Sequence, residues 1–81
     1  MKGGISSMNK ITNQDRVFIA HNLVHYRKLK GWTQEQLAFE AHTTNKCISD
    51  LELAKRNVKI DTISKIAKAL GVQLSDLTKA D

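Results

Sequence analysis

The chain has 81 residues with four glycines and no proline, and Leu, Ile, Ala, Lys and Glu recur throughout. This length indicates one domain, and the composition favours helices over a sheet-rich fold with many turns. A formal charge of +5 favours a polyanionic partner, while the single cysteine excludes a disulfide within the chain and indicates a reducing, cytoplasmic environment.

The N-terminal part of the chain is predicted to precede the fold. We expect residues 1–12 to form a flexible tail and residues 13–81 to form one folded domain. The first helix is predicted from about residue 13 to residue 30. Its apolar side chains recur at i, i+4 and i+7, which is one face of a helix: Ile19, Leu23 and Tyr26.

The next two helices are predicted to lie very close together in the chain. Thr33 is a good N-cap for the second helix, and Gln36 completes a capping-box pattern three residues later. Thr44 is a plausible N-cap for the third helix, in which Ile48 and Leu51 face inward. The short junction between these helices forces a large angle between them, as in a helix-turn-helix.

The C-terminal part of the chain contains two more predicted helices. The fourth, from about residue 61 to residue 70, has an apolar stripe at i, i+3, i+4 and i+7 and is ended by Gly71. A short fifth helix follows within residues 74–80. The sequence therefore predicts an all-α, compact five-helix bundle that contains a helix-turn-helix.

The third helix combines an apolar back with a polar front. A DNA major groove is about 12 Å wide and admits one α-helix, whose N-terminal residues reach the base edges. Asn can pair with adenine, Lys with guanine, and Ser can donate or accept. We therefore expect four residues to face the bases: Thr44, Asn45, Lys46 and Ser49.

Residues that flank the third helix are suited to contact the DNA backbone. Gln34 lies at the N-terminus of the second helix, where backbone N–H groups and the helix dipole favour phosphate. A polar and basic segment directly follows the third helix. The predicted phosphate-contacting set is Thr33, Gln34, Thr43, Lys55, Arg56 and Asn57.

Two segments, "GWTQEQLAFEAHTTNKCISDLELAKRN" and "TISKIAKALGV", resemble the Cro/CI helix-turn-helix family of phage repressors and bacterial regulators. The resemblance covers roughly residues 16–78. It implies a lambda-repressor-like DNA-binding domain that binds a double-stranded operator as a two-fold homodimer, with half-sites about one helical turn apart. It also implies a structural salt bridge between Arg27 and Glu52, which would join the first and third helices.

A shorter segment, "KRNVKI", resembles the controller proteins of restriction–modification systems, in which the arginine that matches Arg56 contacts DNA. The chain departs from the wider family at several positions. Ala54 replaces a common glycine, Val58 a frequent proline, and Lys59 a usual capping serine. Asp50 either selects a cytosine amino group or restrains Lys46 at i+4, and we favour restraint.

The dimer surface is expected near the C-terminus, at Val72, Leu74 and Leu77, because the fourth helix fills the core with its own stripe. An alternative function is an antitoxin that binds a protein toxin and represses its own operon. An enzyme is not expected, because the chain has no phosphate-cradling glycine loop and no nucleophile–base set. We expect no cofactor, no metal site, no small-molecule ligand and no membrane partner, and His21 and His25 are assigned to a solvated helix face.

Overall fold

The structure, a computed structural model, describes residues 13–55 and 59–80. This part of the chain forms five α-helices without a β-strand: α1 Asn13–Leu29, α2 Gln34–Glu40, α3 Asn45–Glu52, α4 Ile60–Leu70 and α5 Leu74–Thr78. The all-α, five-helix prediction is confirmed. The expected tail, residues 1–12, lies outside the described residues. None of the described helices is both long enough and apolar enough to span a membrane.

The helix ends follow the local signals in the sequence. Thr33 Oγ1 accepts a hydrogen bond from the backbone N–H of Gln36 at 3.0 Å, and the Gln36 side chain accepts one from the Thr33 N–H at 2.8 Å. These reciprocal bonds are the predicted capping box. Gly31 and Gly71 follow α1 and α4 with φ of 72° and 74°, the left-handed conformation that favours glycine. Lys59 precedes α4 and makes no side-chain capping bond, as its residue type predicts.

One apolar core joins the five helices. α1 packs against α3 and α5, while α2 packs against α3 and α4. The apolar stripes predicted for α1, α3 and α4 all lie in this core, and Tyr26 and Trp32 pack against its edge. The largest fully buried side chains are Ile19, Leu23, Leu37, Ile48, Ile63, Ile66 and Leu77.

A buried polar residue fixes the short helix α5 against α1. The side chain of Asn22 is on the inward face of α1, and its Nδ2 donates to the carbonyl oxygens of Leu77 at 2.8 Å and Lys79 at 2.9 Å. The bonds satisfy backbone acceptors at the end of α5 that the helix itself leaves unpaired. Asn22 therefore anchors the C-terminal end of the described domain.

The position of Leu77 corrects part of the expected dimer surface. Leu77 has no exposed surface, because it completes the core of its own chain beneath α1. It is not available to a partner. Val72 and Leu74 are half-buried against the core, and each keeps some accessible surface.

Candidate nucleic-acid interface

The helix α3 has a buried back and an exposed front. Cys47, Ile48 and Leu51 are buried in the core. Asn45 and Lys46 are exposed, and Ser49 is half-buried on the same outward side. The packing of the back holds the helix against the bundle, while the polar front remains open to an approaching ligand.

Thr44 forms the start of α3. Its Oγ1 accepts a hydrogen bond from the backbone N–H of Cys47 at 3.1 Å, which is an N-cap. Because the oxygen is the acceptor, the hydroxyl hydrogen can still point away from the helix and donate to an external acceptor. Thr44 therefore combines its capping role with a donor at the tip of α3.

Asp50 lies beside Lys46 rather than presenting an isolated negative charge. Lys46 Nζ is 3.5 Å from Asp50 Oδ2, and the two are one helical turn apart. The Lys46 side chain is 82% exposed and that of Asp50 is 17% exposed. The arrangement matches the restraint that we favoured for Asp50.

On the inward side of α3, Glu52 connects this helix to α1 and to the start of α2. Arg27 of α1 donates to it through Nε at 2.6 Å and through Nη2 at 3.2 Å. Gln34, at the start of α2, donates through Nε2 to the same carboxylate at 2.8 Å. Arg27 Nη1 also donates to the carbonyl oxygen of Trp32 at 2.8 Å. The structure thus contains the ion pair implied by the resemblance and extends it to Gln34.

This network sets the position of α3 relative to the start of α2. The charged groups of Arg27 and Glu52 are almost buried, with side chains 13% and 7% exposed, so each needs the other to compensate its loss of water. A bidentate arginine–carboxylate pair also has a fixed geometry. The orientation of the polar front is therefore held from behind.

Four of the six expected phosphate-contacting residues lie in the described part of the chain. Thr33 and Lys55 are exposed, while Gln34 and Thr43 are half-buried. Arg56 and Asn57, the other two members of the set, lie outside the described residues. Thr33 and Gln34 lie at the start of α2, Thr43 lies between α2 and α3, and Lys55 follows α3 in the chain.

Both connections of α3 contain a non-glycine residue in the left-handed conformation. His42, between α2 and α3, has φ of 58°, and Ala54, after α3, has φ of 56°. Ala54 occupies the position where the family commonly has glycine, and the chain keeps the left-handed turn without it. The backbone N–H of Lys55 donates to the Asp50 carbonyl at 2.9 Å and closes this turn.

One exposed residue of this region was not predicted. Leu53 follows α3 directly and is 62% exposed. The spacing contains the signal, because Leu53 is four residues after Ser49 and seven after Lys46, which is one helical face. Sequence reasoning counted only polar residues on this face and so missed a leucine.

The described residues offer no competing site of metal chemistry. Within residues 13–55 and 59–80, no three His, Cys, Asp or Glu side chains come together in a way that can hold a metal ion. Cys47 is buried as a thiol.

Several known proteins are similar to this chain in sequence and in fold. The helix-turn-helix family model matches residues 24–77. Control protein C.BamHI from Bacillus amyloliquefaciens is 44% identical over 68 residues, which cover 83% of this chain and 84% of that protein. The crystal structure of the restriction-modification controller protein C.AhdI from Aeromonas hydrophila has a TM-score of 0.74 at 33% identity, covering 78% of this chain and 96% of that one.

A second solved structure extends the comparison. The hypothetical transcription factor NHTF from Neisseria superposes with a TM-score of 0.78 at 35% identity, over 84% of this chain and 79% of that one. The matched family model spans all of α2, α3 and α4 and most of α5. The chain therefore belongs to the Cro/CI-type helix-turn-helix family of DNA-binding transcription regulators.

Proposed function

We propose that this protein is a cytoplasmic controller-type regulator that binds a symmetric double-stranded DNA operator as a homodimer. The observation that carries the proposal is the two-sided helix α3, with Ile48 and Leu51 buried and with Asn45 and Lys46 exposed. The similarity to C.BamHI and C.AhdI supports a role in controlling the genes of a restriction–modification system.

In this proposal α3 enters the major groove with its N-terminus foremost. Asn45 pairs with adenine, Lys46 donates to guanine, and Thr44 and Ser49 use their hydroxyl groups on neighbouring acceptors. Lys46 leaves its Asp50 partner at little cost, because the lysine is 82% exposed and an i, i+4 ion pair on a helix contributes only about 0.5 kcal/mol. Asp50 therefore holds the lysine in place until the base edge replaces it.

Contacts to phosphate fix the protein on the duplex. Thr33, Gln34 and Thr43 act at the N-terminal side of the helix-turn-helix, and Lys55 with Arg56 and Asn57 acts at its far side. The Gln34 amide has two N–H donors, of which one is used by Glu52, and the other can bind a phosphate oxygen. The net charge of +5 supports attraction to the backbone before specific docking.

The homodimer is proposed to form through the C-terminal side of the domain. Val72 and Leu74 are its candidate residues, because both are apolar and neither is fully covered by its own chain. The proposed activity is binding alone. It requires no cofactor and no catalytic residue.

Selection of duplexes from a random pool tests the proposal. We expect enrichment of one sequence with two inverted half-sites, centred about one helical turn apart, and two chains bound per duplex in sedimentation. Failure of any duplex to enrich at low salt would contradict DNA binding. Enrichment of an asymmetric site by a single chain would contradict the dimer, and purification with an equimolar protein toxin would favour the antitoxin alternative.

A further inference from the structure

A large apolar side chain lies on the polar front of α3. The backbone N–H of Leu53 donates to the Ser49 carbonyl at 3.1 Å, so Leu53 continues the helical hydrogen-bond pattern beyond α3. Its side chain is 62% exposed, whereas Ile48 and Leu51 of the same segment are buried. Leu53 is therefore not part of the core, although leucine is a residue type that is often buried.

The direction of Leu53 follows from helical geometry. At about 100° per residue, Leu53 lies roughly 40° from Ser49 and 20° from Lys46 around the helix axis. By the same rule it lies on the opposite side from Leu51. Leu53 thus belongs to the same front as two residues that we propose to face bases.

Leu53 lies one helical turn beyond Ser49, at a distance of about 6 Å along the helix axis at the usual rise. Since Lys55 follows two residues later, Leu53 occupies the interval between the proposed base contacts and the proposed backbone contacts.

The major groove offers a single type of apolar partner for such a side chain. Its base edges are hydrogen-bond donors and acceptors except at the C5-methyl group of thymine. A leucine held against a polar edge would remove that edge from water without offering a hydrogen bond, which is unfavourable. A leucine held against a methyl group buries apolar surface on both sides.

We infer that Leu53 is a specificity-determining residue that packs against a thymine methyl group in each half-site of the operator. The inference rests on the proposed function. It assigns an apolar contact to a surface whose other members read DNA by hydrogen bonds. It also requires that a thymine lie at a fixed place in the half-site.

Replacement of single thymines by deoxyuridine removes the methyl group and leaves every hydrogen-bonding atom in place. In the duplex selected from the random pool, we expect replacement of the thymine in one half-site to weaken binding by about fourfold, the value of one buried methyl-sized group. Replacement in both half-sites should weaken it by about fifteenfold. Fluorescence anisotropy with labelled duplexes measures these ratios.

Three variants assign the effect to Leu53. Leu53→Ala should bind the thymine and deoxyuridine duplexes equally, while Leu53→Met, which keeps an apolar side chain, should still distinguish them. Val17→Ala is a matched control, because Val17 is 57% exposed on α1 beside Lys79 and Ala80 and should leave the wild-type ratio unchanged. Circular dichroism confirms that each variant is folded.

The outcomes separate this inference from the proposed function. If no duplex is enriched, the proposed function fails. If a duplex is enriched but its half-sites contain no thymine, or if wild type and Leu53→Ala respond equally to every deoxyuridine, then only the assignment of Leu53 is wrong.

Discussion

Among single residues, Glu52 has the most consequential position. Three donors from Arg27 and Gln34 converge on its carboxylate, on the buried side of α3. A carboxylate with side-chain exposure of only 7% depends on these donors to compensate its loss of hydration. Glu52 thereby links the core of the domain to the polar front of α3.

Removal of one partner from this pair should be strongly destabilising. Arg27→Met is expected to lower the free energy of unfolding by about 3 kcal/mol, because it leaves Glu52 buried with only the Gln34 amide as a donor. Urea denaturation followed by circular dichroism measures the loss.

The double variant Arg27→Met with Glu52→Met is the control for this prediction. It should lose no more stability than Arg27→Met alone, because it also removes the uncompensated charge. A loss below about 1 kcal/mol in the single variant would show that the pair is solvated and does not position α3.

The type of a residue predicted its burial well for the polar residues of α3 and poorly for two leucines. Asn45 and Lys46 are exposed as expected, because polar residues opposite a buried stripe have only one stable orientation. Leu77 was wrongly expected at the dimer surface, and no prediction was made for Leu53. A leucine's type does not say whether the chain covers it, and here Leu77 completes the core while Leu53 stays outside.

At the scale of helices, the sequence predicted existence and capping more completely than the connections. The apolar periodicity and the capping box involve residues within about two helical turns of each other, so they can be read from the local sequence. The left-handed φ of His42 and Ala54 could not be predicted this way. The left-handed region is uncommon for residues other than glycine, so neither residue type predicts it.

Lys59, the residue before α4, makes no side-chain capping bond, so a substitution at this position can stabilise the start of the helix. Lys59→Ser is expected to raise the free energy of unfolding by about 1 kcal/mol, because a serine hydroxyl can accept from the backbone N–H of Asp61 or Thr62. Thermal or urea unfolding measures the gain.

Lys59→Ala separates capping from charge in the same experiment. It removes a positive charge from the N-terminal end of the helix dipole, which should help by only a few tenths of a kcal/mol. If serine were no better than alanine at this position, the start of α4 would already be satisfied by other groups.

The whole molecule is a small bundle that presents one helix. All five helices contribute buried residues to the core, α1 and α2 hold Glu52 of α3 through hydrogen bonds, and the outward side of α3 is polar. The fold was predictable because local patterns and the family resemblance agree over most of the chain. The dimer surface stays a prediction, because it depends on which apolar groups remain uncovered after all five helices have packed.

We propose above that Asn45 and Lys46 recognise bases. The most direct test measures the affinities of wild type, Asn45→Ala and Lys46→Ala for the selected duplex and for a random duplex, at one fixed salt concentration. We expect each variant to lose about 1–3 kcal/mol on the selected duplex and almost nothing on the random one. Equal losses on the two duplexes would contradict the claim, because they would show that both residues serve only attraction to the DNA backbone.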